Sequence, residues 1–131
     1  MEHTIVHFEI PANDPERAAK FYGELFGWDI KKWTAEGAPE YWMVSTVPKD
    51  EEGHAAHPGV NGGLLRRLHP AQPPVNYISV ESVDEYTQKG KRLGAEEVMP
   101  KTAVKGMGWF AWLRDPEDNV FAIWQTDEKA A

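Results

Sequence analysis

From Ile5 to Ile10 the chain alternates, with Val6, Phe8 and Ile10 on one side and Ile5, His7 and Glu9 on the other. A strand sends successive side chains to opposite faces, so the first set predicts a packing face. The second set predicts a face carrying an imidazole and a carboxylate. The period then changes. Ala18, Phe21, Tyr22, Leu25 and Phe26 recur at i, i+3, i+4, i+7 and i+8, which predicts one apolar stripe on a helix. Asp14 can cap that helix, Pro15 suits its first turn, and Gly27 tolerates the positive φ that ends it. Strand patterns follow at 28–33, 41–47 and 62–68. Between the last two, residues 48–60 are acidic, contain Gly and Pro and lack a period, so they predict a long exposed loop.

The same order then repeats. Residues 70–74 are proline-rich and read as a linker, because proline disfavours both helix interiors and central strands. A strand at 76–80 leads into a helix opened by Ser82 and Glu85, a capping box, and closed by Arg92, Leu93 and Gly94. Three more strands are predicted at 96–99, 109–113 and 120–125, with 115–119 as the turn between the last two. The expected fold class is α+β: two tandem βαβββ modules forming a curved mixed sheet around a cleft, with helices on the outer face. Module one covers about 4–69 and module two about 75–127 of a single domain spanning 1–131.

Composition narrows the chemistry. At 131 residues with 41% hydrophobic content, the chain can bury one core. A net charge of -7 with scattered basic residues argues against a nucleic-acid partner. There is no cysteine, which excludes disulfides, thiolate nucleophiles and zinc–thiolate sites. No apolar run is long enough to cross a bilayer, and no signal-like segment opens the chain, so a cytoplasmic address and no membrane partner are expected.

The run Val6 to Ile10, then Asp14-Pro15-Glu16-Arg17-Ala18-Ala19-Lys20-Phe21-Tyr22, then Leu25-Phe26-Gly27-Trp28, resembles the glyoxalase / bleomycin-resistance / extradiol-dioxygenase superfamily, also called vicinal oxygen chelate. Asp115-Pro116-Glu117-Asp118-Asn119 is similar to that superfamily's closing turn. The resemblance implies paired βαβββ modules, a cup-shaped cavity and a homodimer. In the metal-dependent members it also implies four ligands: one on the first strand, one late in module one, one on the first strand of module two and one on the last strand. Here those positions give His7, no Glu or Gln around Gly62-Gly63-Leu64-Leu65, a position on or beside Val75, and Ala122. His7 is the only retained candidate. The expectation is therefore a protein with no cofactor, a divalent metal being the disfavoured alternative.

Two readings of His7 stay open. It is either a cavity histidine bonded to Glu9 or a backbone carbonyl, or a ligand anchor or general base oriented by the Glu9 carboxylate. Tyr77, Phe110, Trp112, Arg114, Trp124 and Arg66 are the candidate ligand-binding residues: flat aromatics with a hydroxyl and cations for an anionic group. Packing in a core or dimer interface is the plainer explanation for the aromatics, as solvated surface charge is for Arg67 and Lys105. His54 and His57 have ligand-like spacing but lie in the 48–60 loop with nothing to fix them. The functional expectation is a protein that binds a small organic molecule in an aromatic-lined cavity. The alternative is a glyoxalase-like lyase or isomerase, or a dioxygenase-type enzyme, using His7 and Glu9 with or without a metal.

Overall fold

The computed structural model describes residues 1–34, 39–52 and 54–131. Gly53 of the 48–60 loop lies outside them. The elements are β1 (Ile5–Ala12), α1 (Pro15–Phe26), β2 (Asp29–Trp33), β3 (Tyr41–Ser45), β4 (Gly62–Arg66), β5 (Val75–Ser79), α2 (Val83–Arg92), β6 (Glu96–Val104), β7 (Gly108–Arg114) and β8 (Val120–Thr126). This is the βαβββ order, twice. The chain divides into two compact units, His7–Pro74 and Met1–Val6 with Val75–Ala131.

In the first unit the strand order is β2-β3-β4-β1, with β1 parallel to β4 and the other pairs antiparallel. Asp14 accepts a hydrogen bond from the Arg17 amide at 3.1 Å, and Gly27 closes α1 at φ 71°. Leu64, Val44, Trp42 and Ala12 form the core, packed by Phe8, Ala18, Tyr22, Trp28 and Ile30. Burying a side chain such as Leu64 stabilises the unit by about 1.5–3 kcal/mol. The predicted stripe on α1 is split. Ala18 and Tyr22 pack inward, whereas Phe21, Leu25 and Phe26 are each more than half exposed. A four-stranded sheet is covered by only part of a stripe that spans more than 100° of the helix.

In the second unit the order is β5-β8-β7-β6, with β5 parallel to β8. Ser82 caps α2 by accepting from the Glu85 amide at 3.1 Å. Val83 of α2 packs in one core with Val80, Ala111, Leu113 and Ile123. The helix runs through Gly90, while Leu93 at its end is largely exposed. Strand β6 extends to Val104 rather than stopping at Met99, and its register on β7 shifts twice, on either side of Met99. As the edge strand of this unit it accommodates Pro100, whose missing N–H would break the ladder of a central strand. The 115–119 turn is held by the Asp115 carboxylate, which accepts from the amides of Glu117 at 2.8 Å and Asn119 at 3.0 Å. No helix among the described residues is long and apolar enough to cross a membrane.

Candidate functional site

In each module one sheet face packs against its helix, and the chemistry sits on the other. In the first unit that second face carries His7 and Glu9, because Phe8 and Ala12 pack with Ala18 and Tyr22 of α1 and alternate residues of a strand point to opposite faces. Glu9 pairs with Gly63 on β4, and Gly63 pairs in turn with Met43 on β3. Tyr41, two residues before Met43, shares the exposed side of β3. Its ring reaches over Gly63, where any Cβ would lie well inside contact distance of the phenol oxygen. The hydroxyl arrives between the two β1 side chains: Tyr41 Oη–H donates to Glu9 Oε2 at 2.9 Å, and His7 Nε2 lies 2.8 Å from the same oxygen. The His7 and Tyr41 rings are nearly parallel.

With Tyr41 donating its one proton to Glu9, the tautomer that completes the His7–Tyr41 bond is the one carrying Nε2–H. Burial pushes the His7 imidazolium down from 6.5 to about 4, so the ring is neutral at physiological pH. Glu9 is 9% exposed, and its Oε2 is satisfied by the phenol.

The second unit repeats the construction with different groups. Tyr77 on β5, Ala122 on β8 and Trp112 on β7 lie in one row across the sheet, and Ser79, Trp124 and Phe110 form the next row. Trp112 Nε1–H donates to Tyr77 Oη at 2.9 Å across the small Ala122 side chain. Phe110 meets the Tyr77 ring edge-on at 6.0 Å between centroids. Val75, Tyr77, Trp112 and Ala122 are buried, with Met99, Phe110, Val120 and Trp124 packed around them. In both modules a ring on the third strand donates, over a small residue on the fourth, to an acceptor on the first.

The sequence-predicted residues therefore part company. Tyr77, Phe110, Trp112 and Trp124 share a face of the second unit's sheet, and His7 and Glu9 share a face of the first unit's sheet. The Tyr77 hydroxyl, expected to be available, is engaged by Trp112, because the two residues sit in one row. The two candidate cations are already paired on the rims. Arg66 bonds Glu40 at 3.3 Å and the Asn13 carbonyl at 3.2 Å, and Arg114 bonds Glu96 at 3.0 Å. Arg67 is not simply solvated. Its guanidinium donates to the carbonyls of Gln72 and Pro11 and to Asn13 Oδ1, tying the end of β1 to the linker. Lys105 is exposed in a turn with Gly106 at φ 75°. His54 and His57 are exposed; Asp50 caps the His54 and Glu52 amides, and an isolated bridge joins Lys49 to Ala55. Tyr41 is the functional candidate that sequence reasoning missed. The Gly62-Gly63 pair inside a strand was its signal, since glycine there marks a close approach.

Paired βαβββ modules, each with a helix on one face and polar and aromatic chemistry on the other, define a glyoxalase-type fold. The pattern of the Glyoxalase/Bleomycin resistance protein/Dioxygenase superfamily matches residues 4–123, and the chain belongs to that superfamily. It is 25% identical over 123 residues to "Putative glyoxylase CFP32" of Mycobacterium bovis and of Mycobacterium tuberculosis. The match covers 91% of this chain and 44% of those proteins, so the chain spans less than half of their length. In fold it is similar to a hypothetical protein of Bacillus halodurans (TM-score 0.68, 14% identity, 100% and 99% of the two chains). It is also similar to methylmalonyl-CoA epimerases of Streptomyces coelicolor (TM-score 0.64, 15% identity, 95% and 99%) and Mycobacterium tuberculosis (TM-score 0.64, 11%, 94% and 87%).

Proposed function

We propose that this chain binds a small organic molecule on the helix-free faces of its modules, and that it does so without a metal ion. The observation carrying the reading is the His7–Tyr41–Glu9 chain. It is a polar anchor whose internal bonds are already made, set on a face that the module's own helix leaves uncovered. The half-buried rings of Phe110 and Trp124, backed by the buried Tyr77 and Trp112, support it, since flat apolar area with few fixed polar groups suits an organic ligand.

The donor set does not fit the ion of the metal-dependent relatives. His7 Nε2 and Glu9 Oε2 are both committed to the Tyr41 hydroxyl. The positions of two other ligands hold Val75 and Ala122, which have no ligating atom and are fully buried. Among the described residues no three His, Asp or Glu side chains converge. A selective site needs three or four such ligands in fixed geometry.

The second reading, an acid–base lyase or isomerase, is favoured by the carboxylate–phenol–imidazole chain itself. Its weakness is basicity. With its conjugate acid at about 4, His7 is roughly 300-fold weaker as a base than a solvated imidazole. We therefore assign His7 to ligand contact rather than proton abstraction. The test is a thermal-shift screen of small aromatic and heterocyclic compounds, run with a chelator present. Stabilisation of about 2.7 kcal/mol is expected at a hundred times Kd. Stabilisation that appears only when divalent metal replaces the chelator would overturn the proposal.

A further inference from the structure

We infer that Tyr41 and Gly63 form a latch that holds His7 in the Nε2–H tautomer and keeps divalent cations from bridging His7 and Glu9. Tyr41 is then a positioning residue, acting through His7, and Gly63 is what lets it reach.

The geometry gives each partner a distinct task. His7 and Glu9 project from one side of β1 two residues apart, the spacing at which a strand brings two side chains to a common neighbour. A cation between them would take one lone pair from the imidazole and one from the carboxylate. The Tyr41 hydroxyl occupies that bridging position instead, with 2.8 Å to Nε2 and 2.9 Å to Oε2. A hydroxyl donates once and accepts, so it asks for a proton on Nε2 where a metal would ask for a lone pair. The imidazole's lone pair is thereby placed on Nδ1. Strand β4 lies between β3 and β1, so the phenol must cross it, and it crosses at Gly63. A methyl group there collides with the Tyr41 ring and hydroxyl together, and the rigid ring can yield only by leaving the bridge. The second module bridges in the same sense, with the Trp112 indole donating to Tyr77 over Ala122. Both modules thus put an aromatic donor where a side-chain ligand on the fourth strand would otherwise project.

The inference deepens the metal-free reading but concerns the protein without ligand, so the two can fail separately. The experiment is nitrogen-15 NMR of the histidine rings in the full chain at pH 7.5, with His7→Gln identifying the His7 signals. Spectra are recorded for wild type, Tyr41→Phe and Gly63→Ala, alone and with zinc chloride titrated to a few equivalents. In the wild type His7 is expected as Nε2–H, and zinc leaves its ring signals unmoved. In Tyr41→Phe, which keeps the ring and the packing, the tautomer preference is lost and zinc shifts the His7 signals. Gly63→Ala expels the hydroxyl without removing it and reproduces the Tyr41→Phe spectrum. A wild-type Nδ1–H tautomer would overturn the inference. So would a Tyr41→Phe spectrum with His7 unchanged, or equal zinc shifts at His7 in wild type and Tyr41→Phe. A ligand screen that finds nothing would damage the proposed function and leave this result standing.

Discussion

Replacing His7 with Gln should remove a large part of the acid sensitivity of folding between pH 7.5 and 5. Burial holds the folded-state imidazolium at about 4, against 6.5 for the ordinary group. The unfolded chain therefore binds this proton more readily than the folded one. The resulting stability is fully present above pH 6.5, falls as pH drops from 6.5 toward 4, and levels off below 4. At about 1.36 kcal/mol per pKa unit the whole span is roughly 3 kcal/mol, and about 2 kcal/mol of it is lost by pH 5. That is a sizeable share of a domain stability of about 5–15 kcal/mol. Asp115 and Asp127 fall in another window. The Asn119 amide and the Trp109 indole hold Asp115 and Asp127, respectively, below their ordinary values, so their contributions disappear only at lower pH. Glutamine is the right replacement, because its amide can still donate to Tyr41 and cannot titrate. Urea midpoints at pH 7.5, 6.5, 5.5 and 5.0 give the comparison. The wild type should lose about 2 kcal/mol more than His7→Gln across that range. Parallel pH dependences in the two proteins would refute the reasoning.

Gly63→Ala should destabilise the chain by about 1–3 kcal/mol, since the added methyl meets a rigid ring, and the urea midpoint at pH 7.5 measures it. Trp112→Phe should cost about 1–3 kcal/mol, because it removes a buried donor from Tyr77. In a cycle with Tyr77→Phe the two losses should be non-additive by at least 0.5 kcal/mol or so. Leu64→Ala, at a side chain with no exposure, should cost about 2–5 kcal/mol by chemical denaturation. Arg114→Met and Arg66→Met should each change stability by about 0.5 kcal/mol or less and leave the affinity for any compound found by the screen unchanged, as expected for rim ion pairs.

The fold was legible because its signals are local. Asp14, Pro15, Gly27, Ser82 and Glu85 mark helix ends by short-range hydrogen bonding and backbone geometry, and the alternation of β1 marks Phe8 for the core, whereas Val6 at the start of the strand is 41% exposed. The extension of β6 through Pro100 was not legible, because only its place at the edge of a sheet makes a proline acceptable there. The candidate site was read one strand at a time, which brought out His7, Glu9, Tyr77 and Trp112 but not the bonds joining them. Tyr41 reaches Glu9 across an intervening strand, and register and ring orientation, rather than sequence spacing, decide that meeting. The partners of Arg66, Arg67 and Arg114 were hidden for the same reason. Phe21, Leu25 and Phe26 show the converse: a perfect helical period reports amphipathicity and does not say how much of the stripe the sheet can cover.

The most direct test of metal-independent binding is elemental analysis. The chain is expressed in medium supplemented with zinc, manganese, nickel, cobalt and iron, purified without chelator, dialysed against metal-free buffer and analysed together with Tyr41→Phe. The account predicts far less than one ion per wild-type chain. One tightly held divalent ion per wild-type chain would contradict it.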